Sequence, residues 1–550
     1  MNQLTTEDPI RLSTRDHRNA PARFAILRYP ENAQLLIPHF LSTYAAPFIG
    51  AYVLTIVVYS YFFFGIIFSD HTFPNVWVWN YPSYKTLSEG RWFEDILYLA
   101  FGGSGVQSVQ MAIATALQVI NAFILASLLR VVGGLRLFLV AAFLSLHPAF
   151  LDYYSYSNTH IAWVAGDTLA LLGTLALDRI GDRRIAIPMA SLAFLLTLAT
   201  YQPKIALIAL LLLIWSIGAT QRLSDGSSTS AVRCLLHLRD SILALGTALA
   251  LYLVSIRLTI RDSAGFRTTV NNANEVIRQL IQSYPAILKH FTLQVDYLPS
   301  FLAWLPAAVL LLGVAVLLLR AWRGGNAMLA LTIGLVILIP PALRASYVIN
   351  SQTWQNVGRI LSPHAYLLIL FLMTTWSVDL LRRAGIVACA VLIYCFAVVA
   401  SQETNAAALQ TIYDLSKINR IVSRIEELGP DAKSVVIVGH LPLVPRVPFR
   451  RYENRLYRSN KAESFAAYRH VDILNFFLGR ERITWPKEAE VEAALAGVGA
   501  RRPWPAPESV FMKDGVVVVL LETYAPGVDV TWTQERFGAA PERPAEAAQR

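Results

Sequence analysis

The residues of this chain best suited to chemistry are single charges at the ends of apolar runs. Asp70 follows the run 45–68 by two residues. A carboxylate there is partly desolvated, which raises its pKa and suits it to take a proton as a general base. Asp152 is a second such carboxylate, set in "HPAFLDYYSYSN" (147–158) beside Tyr153, Tyr154 and Tyr156. Lys204 is the lone charge in "TYQPKIALI", a fixed cation that could meet a phosphate as a point charge. Arg344 and Arg359 flank "RASYVINSQTWQNVGR", and a guanidinium fork suits bidentate phosphate recognition. Asp167 lies inside an apolar stretch, "HIAWVAGDTLA", where a carboxylate is costly and so a functional candidate. Plainer readings stand beside each of these: a polar helix end, a snorkelling lysine, a paired structural carboxylate, or an arginine that only balances a nearby acid. His364, in "GRILSPHAYLL", reads as a packed histidine.

The elements that must hold these residues are membrane helices. Of the 550 residues, 55% are hydrophobic and 15% charged, against about 25% charged in a soluble domain. A spanning helix needs about 20 mostly apolar residues. The runs expected to span are 45–68, 106–129, 135–150, 160–177, 185–201, 203–219, 240–257, 301–319, 327–343, 361–378 and 384–400. The expected fold is therefore an all-α polytopic bundle of about eleven spans. Net charge is +10, but the arginines sit in alternate short loops, so they orient the chain in a membrane instead of marking a nucleic-acid partner. These basic loops carry Arg130 and Arg136; Arg179, Arg183 and Arg184; Arg222, Arg233 and Arg239; Arg320 and Arg323; Arg382 and Arg383. That places 1–44 in the cytoplasm and the polar candidates on the outer face. Asp178 and Asp182 read as ion-paired on the inner side. Three cysteines, Cys234, Cys389 and Cys395, are too few and too apolar in setting for a disulfide framework or a zinc site, and read as packing residues.

Beyond residue 400 the sequence changes character. A helical pattern at 405–428 leads into two buried-strand runs, "KSVVIVGH" and "GVVVVLLE". Residues 401–536 are expected to form a small extracytoplasmic α/β domain, with 537–550 a disordered tail. The aromatics of the outer loops suit the interfacial belt and also the apolar face of a sugar ring.

Five stretches then carry a resemblance: the acidic residue after the first span, "EGRWFEDILYL", "ATYQPKIAL", "GRILSP", and "NAAALQTIYDLSKINRIVSRI" leading into "VVIVG". In these the chain resembles the serotype-converting O-antigen glucosyltransferases (the Gtr type II family) of the GT-C superfamily, over most of 45–440. Where family members often pair acidic residues, this chain has Ser69–Asp70–His71, so the base falls to Asp70 alone.

The resemblance implies an inverting enzyme of the inner membrane. It would move a sugar, a hexose such as glucose, from a polyprenyl-phosphate donor to an extracytoplasmic glycan such as lipopolysaccharide O-antigen. Asp70 would be the base, and Asp152 would orient the acceptor or help hold a divalent cation, magnesium or manganese, which is the one cofactor left open. Lys204, Arg344 and Arg359 would meet the donor phosphate. His71, Trp77, Trp79, Arg91, Tyr154, Tyr201 and Gln202 would line the substrate cavity. Two rival readings remain, a transporter or flippase for a lipid-linked sugar and a glycan polymerase or ligase. Asp167 speaks for transport; polar residues gathered at the outer boundary without a visible repeat speak for an enzyme.

Overall fold

A computed structural model describes residues 41–64, 84–100, 107–131, 133–155, 157–222, 228–260, 271–292, 297–350, 358–441, 470–479, 483–496, 498–525, 528 and 530–531. Asp70, His71, Trp77, Trp79, residues 1–40 of the expected cytoplasmic segment 1–44, and the tail 537–550 lie outside the described residues.

The apolar runs become helices, the form in which a segment satisfies its own backbone polar groups without water. In chain order these are α1 (Ala46–Val58), α2 (Trp92–Ala100), α3 (Gln107–Leu128), α4 (Gly134–Leu146), α5 (Ser157–Arg179), α6 (Arg183–Thr200) and α7 (Ile205–Arg222). There follow α8 (Ser228–Thr259), α9 (Ala273–Thr292), α10 (Leu305–Arg323), α11 (Asn326–Ile337), α12 (Gly358–Trp376) and α13 (Asp379–Glu427). Prolines lie at three of the breaks, where each removes a helical N–H donor. Pro148 starts the turn after α4, so that Gly134–Leu146 and Pro148–Tyr154 meet at 47°. Pro203 sits in the one-turn helix Gln202–Lys204 between α6 and α7, and Pro340 and Pro341 lie in the short helix Ile339–Leu343 after α11.

Among the described residues seven helices are long and apolar enough to cross a membrane, or eight if the bent pair after α3 counts as one span. The expected spans at 45–68 and 203–219 correspond to shorter apolar helices, Thr43–Val58 and Gln202–Gly218. The one at 361–378 corresponds to α12, whose first turns carry Arg359, Ser362 and His364. The chain is thus a helical membrane bundle, with seven or eight helices of spanning length among the described residues where eleven spans were expected. Helices α5, α7 and α12 contribute much of the buried core, whereas α8 leaves Leu243, Leu251, Val254 and Leu258 exposed, an outer surface suited to lipid.

Gly166 and Gly173 let α5 and α6 approach closely: a Cβ on Gly166 would lie 2.5 Å from Thr200 Oγ1, and one on Gly173 2.6 Å from Phe194. Such small residues are how membrane helices gain contact without a hydrophobic driving force. Basic side chains collect at one end of this bundle, where Arg130 and Arg179 both pair with Asp178 and Arg183 pairs with Asp240. Asp178 also accepts from the Trp215 indole at 3.0 Å, while Asp182 serves as the N-cap of α6 and makes no ion pair among the described residues.

Helix α13 runs 49 residues without a break, about 74 Å at the helical rise, so the boundary expected at 400 falls inside one rod. Its far end joins a three-stranded sheet of β1 (Ser434–Val438), β2 (Val510–Lys513) and β3 (Val516–Leu520), in the order β1-β3-β2. β1 and β3 are parallel and β2 is antiparallel to β3. β1 and β3 are buried along their whole length, as a parallel pair covered on both faces must be. Val435, Ile437, Val517 and Val519 pack on Ile418, Ile421 and Ile425 of α13 and on α14 (His470–Phe477). Val436, Val438, Val518 and Leu520 pack on α15 (Glu488–Ala496). The small α/β unit expected after residue 400 is present.

Candidate functional site

Four segments distant in sequence meet around the turn between α6 and α7. Tyr201 ends α6 in an extended conformation, and the single turn Gln202–Lys204 follows before α7 begins. The turn therefore hands Tyr201 and Gln202 to one polar layer and Lys204 to another.

In the first layer, the Arg359 Nε–H donates to the Tyr201 hydroxyl at 3.0 Å. Its backbone N–H and Nη1 reach Asp152 Oδ2 at 3.2 and 3.4 Å, and its guanidinium lies 5.5 Å from the Trp163 ring centroid. The Arg91 guanidinium stands 4.7 Å over the Tyr201 ring, and its Nε donates to Gln202 Oε1 at 3.2 Å. Arg91 also pairs with Glu89 at 3.0 Å and Glu94 at 3.5 Å, while Lys85 pairs with Glu94 at 2.6 Å. Thr86 donates to Asp95, and the Gln202 amide donates to the Glu89 carbonyl. Burial pushes the Lys85 ammonium down to about 8, against the upward pull of Glu94.

This acidic elbow is docked on α8. Gly90 adopts φ +71°, a conformation L side chains avoid, and a Cβ there would meet Ile256 at 3.0 Å. Tyr252 donates to the Gly90 carbonyl at 3.3 Å, and the Trp92 indole donates to Ser255 at 3.2 Å.

The second layer lies deeper. Lys204 pairs with Asp167 and donates to the Tyr153 hydroxyl at 2.7 Å. Tyr153 reaches Asp167 Oδ2 at 3.3 Å and Ser362 at 3.2 Å. Lys204 is 2% exposed and Asp167 0%. Space for the lysine stem comes from Gly166, whose missing Cβ would lie 3.1 Å from Lys204 Cδ. A third contact set surrounds Tyr154, whose hydroxyl meets Thr115 at 3.1 Å and whose ring stacks on Tyr59 at 4.0 Å and lies 4.4 Å from His160. Asp152, Tyr153 and Tyr154, consecutive in sequence, thus serve three separate layers.

The structure therefore brings together Asp152, Arg359, Tyr201, Gln202 and Arg91. Lys204 sits beneath them with its charge already matched by Asp167, so the position expected at a donor phosphate is occupied by an internal ion pair. Tyr154 is buried behind the site. Arg344 instead stacks over the Tyr347 ring at 4.5 Å. His364 is packed against His290, with ring centroids 4.2 Å apart. Sequence reasoning did not single out Lys85, Glu89, Glu94, Trp163, Gly166 and Ser362 as site residues. Glu89 and Glu94 stand in the quoted "EGRWFEDILYL", and Trp163 is one helical turn before Asp167 on α5, so helix spacing was the available signal.

Among the described residues no group of three His, Cys, Asp or Glu side chains is disposed to hold a metal ion. Asp152, the carboxylate expected to help hold one, places its Oδ2 on Arg359. Comparison with family models, curated proteins and solved structures gives no match.

Proposed function

We propose that this chain is an integral-membrane glycosyltransferase that moves a hexose from a polyprenyl-phosphate donor to a glycan outside the inner membrane, with inversion at the anomeric carbon. The observation that carries the reading is the convergence of Arg91, Asp152, Tyr201, Gln202 and Arg359, from four segments, at the turn after α6. Two guanidinium groups beside aromatic rings are the chemistry a sugar phosphate needs: forks for the phosphate oxygens and ring faces for the apolar side of the sugar.

In the reaction, Asp70 takes the proton of the acceptor hydroxyl as its oxygen attacks the anomeric carbon. The carbon–oxygen bond to the phosphate breaks and the electron pair leaves with the phosphate. Arg359 and Arg91 meet that growing charge, which is where preorganised cations lower a barrier most. Asp152 orients the acceptor or holds Arg359 until the donor arrives. Lys204 acts from below, through Tyr153 and the Gln202–Lys204 turn.

The test is transfer of label. Purified protein is incubated with radiolabelled polyprenyl-phosphate hexoses and cell-envelope glycan. Label passing from lipid to glycan, and lost in a folded Asp70→Ala variant, supports the enzyme; label retained in Asp70→Ala removes Asp70 as base. The buried Lys204–Asp167 pair favours a second reading, since intramembrane ion pairs recur in transporters. Movement of labelled donor across liposomes without transfer to glycan would select it.

A further inference from the structure

Helix α9 is built inside out. Its buried residues are Gln279, Ser283, His290 and Phe291, three of them polar. Its exposed face carries Ile277 (56% exposed), Ile281 (66%), Tyr284 (44%) and Leu288 (66%). Their spacing, at i, i+4, i+7 and i+11, draws one stripe along the helix. A helix bathed in water turns such a stripe inward, because burying a large aliphatic side chain is favourable and hydrating it is not. The sequence places this helix in the long loop 258–300 expected outside the membrane, and it is not among the helices long and apolar enough to span one.

Neighbouring surfaces point the same way. The Tyr284 hydroxyl donates to the Ile337 carbonyl of α11 at 3.1 Å. Ile337 and Leu338 are themselves exposed, as are Phe301 and Trp304 just before α10. The stripe thus meets the apolar surface of α11, a helix that qualifies as a span. Arg278 and Lys289 lie on α9 about a quarter turn from the stripe's axis, both exposed, with Arg278 paired to Glu275 at 2.6 Å. A cationic flank beside an apolar stripe is the arrangement of a helix that lies in the bilayer interface, with its cations at the headgroups.

We propose that α9 is embedded in the outer lipid interface, with Ile277, Ile281, Tyr284 and Leu288 against acyl chains and Arg278 and Lys289 against lipid phosphates. The polar side chains Gln279, Ser283 and His290 then face the bundle, the inverse of a soluble helix. The inference does not depend on the reaction proposed above.

The test uses the full chain with Cys234, Cys389 and Cys395 replaced by alanine, reconstituted in nanodiscs of phosphatidylglycerol and phosphatidylcholine. Single cysteines are placed by Ile281→Cys, Leu288→Cys and, as the exposed polar control on the same helix, Gln282→Cys. Circular dichroism confirms that each variant is folded. A membrane-impermeant maleimide should react roughly tenfold or more slowly at positions 281 and 288 than at 282, since the reactive thiolate is disfavoured in an apolar setting. A fluorophore attached at 281 or 288 should be quenched by lipids with nitroxides on the upper acyl chain, and one at 282 less so. Labelling at 281 and 288 as fast as at 282 would put the stripe in water and overturn the proposal. Slow labelling without nitroxide quenching would mean that protein, a second copy or another chain, covers the stripe, which also overturns it.

Discussion

The ion pair beneath the site is the feature whose energetics can be worked most directly. In Lys204→Met the Asp167 carboxylate, 0% exposed, loses its cation, and in Asp167→Leu the Lys204 ammonium loses its anion. Removing one partner of a buried pair costs about 3–5 kcal/mol, because the remaining charge stays buried and uncompensated. Replacing both by apolar residues of similar size is often neutral or stabilising. The third member of the network decides whether that holds here. Tyr153 would lose Lys204 and Asp167 together but keep Ser362 at 3.2 Å, so its hydroxyl avoids the orphan cost of about 1–3 kcal/mol. The double variant Asp167→Leu/Lys204→Met should therefore fall within about 1 kcal/mol of the parent, while each single loses about 3 or more. Unfolding in detergent, followed by tryptophan fluorescence across a denaturant series, gives the cycle. Single effects that add within about 0.5 kcal/mol in the double would show that the two charges do not stabilise each other, and the reasoning would fail.

Three further outcomes concern the two layers. The Lys85 ammonium has its folded pKa pushed down to about 8, below its unfolded value of about 10.4, so between those limits the unfolded chain binds the extra proton. Stability should then rise with pH across that window, by up to about 1.4 kcal/mol per unit from this group, and Lys85→Met should flatten the slope in unfolding curves taken at pH 7 to 10.5. Gly166→Ala puts a methyl 2.5 Å from Thr200 Oγ1 and 3.1 Å from Lys204 Cδ; overpacking of this kind costs about 1–3 kcal/mol, and adding Thr200→Ala should recover part of the lost thermal stability. Arg359→Lys keeps the charge but cannot hold Tyr201 and Asp152 with one planar fork, so kcat/KM for label transfer should fall by roughly a hundredfold or more, the cost of losing one preorganised donor; near-parental kcat/KM would remove Arg359 from the donor phosphate.

The sequence made the apolar runs and the second domain legible because both are written in hydrophobic pattern. The period-free runs VVIV and VVVVL became strands covered on both faces. Less legible was what happens where pattern and length disagree. Helix α12 carries Arg359, Ser362 and His364 in its first turns yet lies in the core, because its polar groups find Asp152, Tyr201 and Tyr153 there. Helix α9 reads as part of the long outer loop 258–300, since only the fold reveals which of its faces is covered. At the site, sequence located Asp152, Lys204, Tyr201 and Arg359 but not their pairing. Lys204 reads as an isolated cation in "TYQPKIALI", and the carboxylate that neutralises it lies 37 positions away, a separation no local pattern encodes.

That pairing bears on how a donor could bind. The cations of the first layer, Lys85, Arg91 and Arg359, already face the carboxylates Glu89, Glu94 and Asp152. A phosphate entering this layer must therefore take a fork from a carboxylate. Arg359 is the place where the exchange is easiest: its contact with Asp152 is 3.4 Å, whereas Glu89 holds Arg91 at 3.0 Å and Glu94 holds Lys85 at 2.6 Å, and its side chain is the most exposed of the three at 13%. Asp152→Asn removes the competing charge but retains an acceptor for the Arg359 backbone N–H. Binding of a fluorescent polyprenyl phosphate should then tighten by about 1 kcal/mol, roughly fivefold, the value of a partly screened charged hydrogen bond. Transfer should fall in the same variant if Asp152 also orients the acceptor. Donor binding that weakens in Asp152→Asn would mean that the carboxylate organises Arg359 for the phosphate instead of competing with it.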